Sequence, residues 1–436
     1  MDTNLGEKPR RIIVLGGGVS GLLAAWQFRQ AGREVEVWEA AATPGGWAQT
    51  LPWPGPQGEP GFLERGPQSL RLRRGGALER LLRDLGLDLA QPGRRGPRWL
   101  ARAGRRSASP ATLGGLLRSP TLSLGGKLRL MAEPFLPVAS EPDESLHTFF
   151  ARRLGDGFAR ELLPSLVASV LAAPAERIGV EALPRLRQLE DRGGLLLGSL
   201  RAGREHTRVP LGGVGALAQA LAERLGCVRT ERPARSLELL PDGRWRVHGD
   251  GVTGEVDTLV LALPARTAAI LLTPVAPAAA DLLTGIPSLD LRVWHSRHAM
   301  VEGWERGIGL LVHPPEGRGL LGAVSFAAAD PRGVPGLLQL RTYLGGAYPV
   351  APDLATWPGV FHELRRWLPE LGEPLQVREE SCPSAFPLIE PGHAHRVDRL
   401  LKALPPGLHW LGASRFGPGI PDLAEGVESW ASGTPG

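Results

Sequence analysis

Thiols are almost missing from this chain: Cys227 and Cys382 are the only two cysteines in 436 residues, and they stand far apart in sequence. That spacing excludes a CxxC redox pair and a cysteine zinc site, and it suits a reducing compartment. Long apolar runs are missing too, so no stretch reaches the roughly 18 residues needed to cross a bilayer. The segment from Met1 to Lys8 carries acids and no apolar stretch, so no secretory leader is read there and a cytoplasmic protein is expected. Lysine is reduced to Lys8, Lys127 and Lys402, and arginine carries nearly all the positive charge, which we attribute to genome composition rather than mechanism. The chain offers no Ser/His/Asp set and no pair of carboxylates at catalytic spacing. His295 and His298, and His393 and His395, lie close together, but on strand-like or loop segments such pairs are more often incidental than ligands, and no metal is expected. There are no internal repeats.

What is present is ample material for a core. At 42% hydrophobic content and this length, two or three domains are expected. Charge is unevenly placed: residues 71–106 hold eleven arginines against Glu79, Asp84 and Asp88, a local net of +8 in a chain whose total is +5. Most of these arginines read as a solvated face. The sharper alternatives are a surface for anionic lipid or the wall of a polycarboxylate site. Nucleic acid is not expected, because there is no aromatic interleaving and no binding module.

The most informative stretch is Arg11-Ile12-Ile13-Val14-Leu15-Gly16-Gly17-Gly18-Val19-Ser20-Gly21. A short apolar strand runs into Gly16-x-Gly18-x-x-Gly21 and then into a helix, which is the pattern of a dinucleotide-binding turn. Gly16 permits the tight turn, Gly18 lets the backbone approach a pyrophosphate, and Gly21 lets the helix pack close to the strand, its N-terminus facing the anion. Ala24, Ala25 and Phe28 continue a helical face, Gly32 ends it, and Glu34 to Glu39 alternates as a second strand. Glu39, 18 residues after Gly21, is placed to accept both hydroxyls of an adenosine ribose, which argues against a 2′-phosphate and against NADP.

Further along, Pro52 to Gly61 reads as a hairpin or loop, and Leu78, Leu81, Leu82 and Leu85 form a helical face stopped by Gly86. Residues 110–200 read as mostly helical, with apolar positions at Phe149, Phe150, Leu162, Leu163, Leu166 and Val170 and interruptions at Pro164, Pro174 and Pro184. Gly212 to Leu217 opens a helix through Leu225; strands are expected at Ser236–Leu240, Trp245–His248 and Thr258–Leu263. Residues 285–380 are strand-rich with a helix near Val360–Leu368. Leu408 to Ser414 is a strand into a glycine turn, and Gly417 to Asp422 precedes a last helix.

Together these pieces resemble the flavin-dependent protoporphyrinogen oxidase family, within the wider group of flavin amine oxidases and desaturases. The resemblance runs nearly end to end through the Gly16–Gly21 turn, Glu39, Gly45-Gly46-Trp47, Glu64-x-Gly66-Pro67, Pro142-Asp143-Glu144, Arg152-Arg153-Leu154-Gly155, Gly212-Gly213, Gly392-His393, and Gly412-Ala413-Ser414 with Pro421-Asp422. It implies an α/β chain: a Rossmann-type, amine-oxidase-like FAD-binding domain, a mixed-sheet substrate domain and a helical insertion. The implied division assigns 1–90, 205–284 and 381–436 to the FAD-binding domain, 91–109 and 285–380 to the substrate domain, and 110–204 to the insertion. FAD would lie on Gly16, Gly17, Gly18, Val19, Ser20 and Gly21, with its ribose on Glu39 and its adenine at Ala234. Gly46, Trp47, Gly66, Pro67, Gln68, Ala413, Pro418, Gly419 and Ile420 would enclose the flavin end.

The activity implied is oxidation of a porphyrinogen to the porphyrin in haem biosynthesis, six electrons in three steps, with the flavin carrying the chemistry and oxygen reoxidising it. No protein side chain is then expected to be catalytic. Arg98 occupies the family position that pairs with a substrate propionate, a task suited to the rigid guanidinium fork. The family departs from this chain at Gln68, where an arginine is common, at Leu388-Ile389, where Gln-Tyr is typical, and at Ser169, where glycine usually borders the substrate. These departures leave two substrates open, protoporphyrinogen with two propionates and coproporphyrinogen with four, beside another flavin oxidase or desaturase and a porphyrin carrier without turnover. The resemblance also implies handover to the next haem-pathway enzyme and peripheral membrane contact. For the latter, Leu113, Leu116, Leu117 and Leu122 with Arg118 and Arg129 are the candidate face, against core packing as their ordinary role.

Overall fold

Ile12, Ile13, Val14 and Leu15 are consecutive apolar residues, each at most 3% exposed, and a strand can bury such a run only if both of its faces are covered. The computed structural model describes residues 11–90, 96–110, 113–119, 121–139, 141, 143–201, 205–325, 330 and 332–433. Met1–Lys8, Arg94, Arg95 and Pro142 lie outside the described residues. Strand Arg11–Leu15 is central in a parallel five-stranded sheet, ordered Val228–Arg229, Glu34–Trp38, Arg11–Leu15, Thr258–Leu261, Leu408–Trp410. Ile12 and Val14 point into a layer of helices, Val19–Gln30, Ala77–Asp84, Gly215–Leu225 and Ile420–Gly433. Ile13 and Leu15 point the other way, against the antiparallel sheet Ala234–Leu239, Trp245–Gly249, Val252–Val256 and helices Ala265–Leu272 and Pro277–Thr284. The period of two along one strand thus separates two cores.

A second, seven-stranded sheet runs in the order Pro374–Pro387, Ser288–Ala299, Leu337–Gly345, Leu320–Ser325, Gly309–Val312, Arg98–Arg102, Arg105–Ala108. It is mixed: the hairpin Arg98–Ala108 joins from far away in sequence by parallel pairing of Arg98 with Gly309, and the other neighbours are antiparallel. The insert Pro52–Gly61 is flanked by paired strands Thr50–Pro52 and Phe62–Glu64, a hairpin as expected. Helix bounds fall near the expected ones, at Ala77–Asp84, Gly215–Leu225 and Trp357–Trp367.

Residues 113–201 form short helices around a core of Phe149, Leu162, Leu163 and Ala168. Pro164 does not interrupt a helix but opens one, Leu163–Leu171, where its missing N–H has no helical partner to lose. Leucines of the candidate membrane face take the core role that was their ordinary expectation. Leu122 is 3% exposed, Leu116 and Leu117 pack against the helical core, and Arg129 donates to the Arg153 carbonyl; the side chain of Leu113 is outside what is described. Leu124, Leu128, Met131, Phe135 and Val138, on helix Leu124–Ala132 and the segment after it, are among the apolar residues left in water. Periodicity alone could not tell which helix face its neighbours would cover. Among the described residues no helix is long and apolar enough to cross a membrane.

Burial sets the proton affinity of several histidines. It lowers the pKa of His295, His298 and His393, with the charges of Arg341, Arg378 and Arg297 adding to the effect at His295. An unfolded imidazole takes up a proton near pH ~6.5, whereas these folded ones resist it, so the unfolded state binds more protons below that pH. Stability from the neutral rings is therefore present above about pH 6.5 and lost as pH falls beneath it. The thermal midpoint is expected to drop between pH 7 and 5 and to drop less in His298→Asn; equal, flat profiles in both proteins would contradict this.

Candidate active site

The turn after the first strand is built by exclusion of side chains. Gly16 has φ +102°, and a Cβ on it would lie 2.5 Å from the Ala262 carbonyl oxygen; one on Gly21 would lie 1.9 Å from the Gly16 oxygen. Gly18 is different: a Cβ there would meet nothing nearer than the Gly46 Cα at 4.0 Å, so its open side is a cradle that a ligand backbone or phosphate can approach. Helix Val19–Gln30 starts at Gly18 with no side-chain cap and no acid in its first turn. Its first amides and the positive end of its dipole therefore remain available to an anion.

Gly17 has a role that the spacing of the other three glycines did not disclose. Its N–H donates to Glu39 Oε2 at 2.6 Å, and a Cβ on it would stand 2.9 Å from the Glu39 Cβ. The Glu39 carboxylate also accepts from the Ala41 N–H at 2.8 Å, which orients it at the end of its strand. The Glu39 carbonyl accepts from the Arg232 N–H at 2.8 Å, which brings Ala234, two residues on, to the same end of the sheet. Gly45 donates to the Gly17 carbonyl at 2.8 Å and so lays Gly45-Gly46-Trp47 against the turn.

From this turn a cavity of about 480 Å³ extends between the two sheets. Of the expected residues, Gly18, Val19, Ser20, Gly46, Trp47, Gly66, Pro67, Gln68, Ser169, Ala413, Pro418 and Ile420 line it. Gly16, Gly17, Gly21, Glu39, Ala234 and Gly419 do not; Gly419 serves the turn into the last helix, where a Cβ would meet Asp422 Oδ2 at 2.5 Å. Arg98 is also outside the lining. It lies in the second sheet with its side chain over Gly309, whose absent Cβ would fall 2.7 Å from the guanidinium. The hydroxyl of Ser169 donates to the Leu166 carbonyl at 3.0 Å, so its contribution to the wall is bulk rather than a free proton. Leu388 and Ile389 are buried in the helical core.

Residues that motif reading missed come from the second sheet. Arg341 and Tyr343, alternating on one strand, face the cavity, with Leu291, Val293 and Phe386 around them. Arg341 donates to the Gly66 carbonyl at 2.6 Å and the Arg65 carbonyl at 2.8 Å. Gln68 donates to the Tyr343 hydroxyl, and the carbonyl of Gln68 accepts from Arg332 at 2.6 Å. Buried Arg332 also pairs with Glu64 and Asp330, each at 2.8 Å. The turn Arg65–Gln68 is thereby held from the far sheet. On the other side, His393 bonds through Nε2 to the Ser414 carbonyl at 2.5 Å and fixes the turn that carries Ala413. Burial raises the Tyr343 phenol and the Cys382 thiol above their ordinary pKa, so both are neutral near pH 7.

Among the described residues that line the cavity there are three arginines, Arg65, Arg266 and Arg341, and no Asp, Glu, His or Lys. Such a lining offers anion binding and apolar contact, with no carboxylate, imidazole or lysine amine for general acid or base work. The model of the flavin containing amine oxidoreductase family matches residues 19–420. The chain belongs to that family. Within it, protoporphyrinogen oxidase of Homo sapiens is 32% identical with 78% of each chain covered, and coproporphyrinogen III oxidase of Bacillus subtilis is 25% identical with 97% of each covered. A solved structure of a candidate protoporphyrinogen oxidase from Exiguobacterium sp. 255-15 superposes with a TM-score of 0.78 at 21% identity, covering 98% of this chain and 99% of that one. Cyclohexylamine oxidase from Brevibacterium oxydans gives 0.71 at 18%, covering 98% of each chain. At these identities the structures establish the fold, and the family match establishes a flavin-dependent oxidoreductase.

The open cradle at Gly18, the uncapped helix end and the oriented Glu39 fit the phosphates and ribose of a flavin nucleotide. Because His393 holds the Ser414 carbonyl from a buried position, His393→Ala is expected to lower bound flavin per chain and cost about 1–3 kcal/mol of stability. His393→Gln, whose amide can still donate, should recover part of both. Flavin absorbance and a denaturant melt check this, and unaltered flavin content in His393→Ala would contradict it.

Proposed function

We propose that the protein holds FAD along the Gly16–Gly21 turn and Glu39 and oxidises a porphyrinogen, protoporphyrinogen IX or coproporphyrinogen III, to the porphyrin of haem biosynthesis. The observation that carries this reading is the acid-free, arginine-bearing cavity that continues from the dinucleotide turn to the second sheet, because a propionate-bearing apolar macrocycle needs that combination. The names of the relatives, protoporphyrinogen and coproporphyrinogen III oxidases, support it. When bound, the cofactor supplies a two-electron acceptor, used three times per macrocycle with oxygen as the proposed reoxidant.

The chain's own residues bind, orient and exclude water. Leu291, Val293, Leu321 and Phe386 supply apolar walls for the ring. Arg341, Tyr343 and Arg332 hold the Arg65–Gln68 turn rigid, so the flavin end keeps one geometry through repeated turnover. Arg98 is proposed as a propionate partner outside the lining, on the strand that joins beside Gly309. The exposed face of Leu124, Leu128, Met131 and Phe135 is the place we propose for peripheral membrane contact or for handover to the next enzyme of the pathway. A cytoplasmic location is proposed with it.

In air, the flavin-loaded protein is expected to convert either porphyrinogen to fluorescent porphyrin faster than a no-enzyme control, with three oxygen molecules consumed per porphyrin. Arg98→Ala should raise KM with flavin content unchanged. Flavin-loaded protein that produces no porphyrin from either substrate would overturn the reading.

A further inference from the structure

The three arginines of the cavity differ in what they already hold. Arg341 is 5% exposed, uses its terminal nitrogens on the Gly66 and Arg65 carbonyls and lies over the Tyr343 ring at 5.0 Å. Arg65 donates to Gln49 at 3.2 Å, sits 3.4 Å from Glu380 and covers the Trp47 ring at 4.9 Å. Both are committed to holding the Arg65–Gln68 turn. Arg266 is in the first turn of helix Ala265–Leu272, just past the parallel strand Thr258–Leu261, and is exposed at the cavity lining. Among the described residues it makes no hydrogen bond or ion pair. No carboxylate of the described lining competes for it.

An arginine with a free fork beside an acid-free cavity keeps its full charge and all its donors for whatever enters. We infer that Arg266 is the residue of this cavity that pairs with an oxyanion of its occupant. The chemistry has two sources, a carboxylate of the substrate or the diphosphate of the cofactor, and the inference deepens the porphyrinogen reading in the first case. A tetracarboxylate then gains more from Arg266 than a dicarboxylate, because more of its orientations bring a carboxylate to the rim.

Flavin-loaded wild type, Arg266→Gln and Arg266→Lys are compared in two arms. In one, coproporphyrin and protoporphyrin are titrated by quenching of tryptophan fluorescence at low and high salt, and KM is measured for both porphyrinogens. In the other, the dissociation constant for FAD is measured on reconstituted protein. A rise of about 5- to 20-fold in the dissociation constant and KM for the tetracarboxylate in Arg266→Gln, with weaker salt dependence and partial recovery in Arg266→Lys, supports substrate pairing. A comparable rise for FAD, with porphyrin binding unaltered, supports pairing with the diphosphate. If neither arm moves in Arg266→Gln, the side chain is a solvated arginine and the inference falls. Wild type that binds neither porphyrin strikes the porphyrinogen reading instead, and the FAD arm then decides Arg266.

Discussion

Gly21 stands so close to the carbonyl of Gly16 that a methyl carbon there would lie 1.9 Å from the oxygen, and much of the molecule depends on that approach. It lets helix Val19–Gln30 begin directly over the end of its strand, with Gly18 open and the first amides uncapped. Those amides would otherwise need water or a side chain, and a ligand phosphate can replace either. Glu39 can reach back to Gly17 because Gly17 too has no side chain in the way. The same end of the sheet receives Thr258–Leu261 and Leu408–Trp410 in parallel, so the turns after these strands gather around one point, as ligand sites in open α/β sheets do.

The second constraint is the tie between the two sheets. The turn Arg65–Gln68 lines the cavity, yet its carbonyls are held by Arg341 and Arg332, and its Gln68 amide by Tyr343, from strand Leu337–Gly345 and the segment before it. Buried Arg332 has its charge matched by Asp330 and Glu64, and removal of both acids would leave a guanidinium uncompensated in a poorly solvated place. The proposed flavin end and the proposed substrate wall are therefore tied by one network, so a cavity without carboxylate, imidazole or lysine amine still has a precise protein frame.

The glycine turn, Glu39 and the switch from helical to alternating period could be read from the sequence, because each rests on neighbours within a few turns of chain. Even there the reading was incomplete: Gly17 was expected only under the cofactor, and its N–H contact with Glu39 was not foreseen. The resemblance implied a substrate contact for Arg98, but pairing with Gly309 puts its side chain in the second sheet, away from the lining. Leu122 proved to be buried and Leu116 and Leu117 to pack against the helical core, whereas Leu124, Leu128 and Met131 were left in water, since local periodicity does not say which face finds a partner.

By itself the sequence determined a strand–glycine-turn–helix unit with Glu39 at the end of the next strand, and a family resemblance that the match over residues 19–420 bears out. These follow from local backbone requirements, where only glycine tolerates the close approaches and only certain spacings keep one face. Tertiary structure alone decided that Arg341, Tyr343 and Arg332 would grip a turn some 270 positions earlier in the chain, and that Arg266 would stand at the cavity with its charge uncommitted. Such pairings depend on which strands meet and in what register, and no local pattern of residues specifies that.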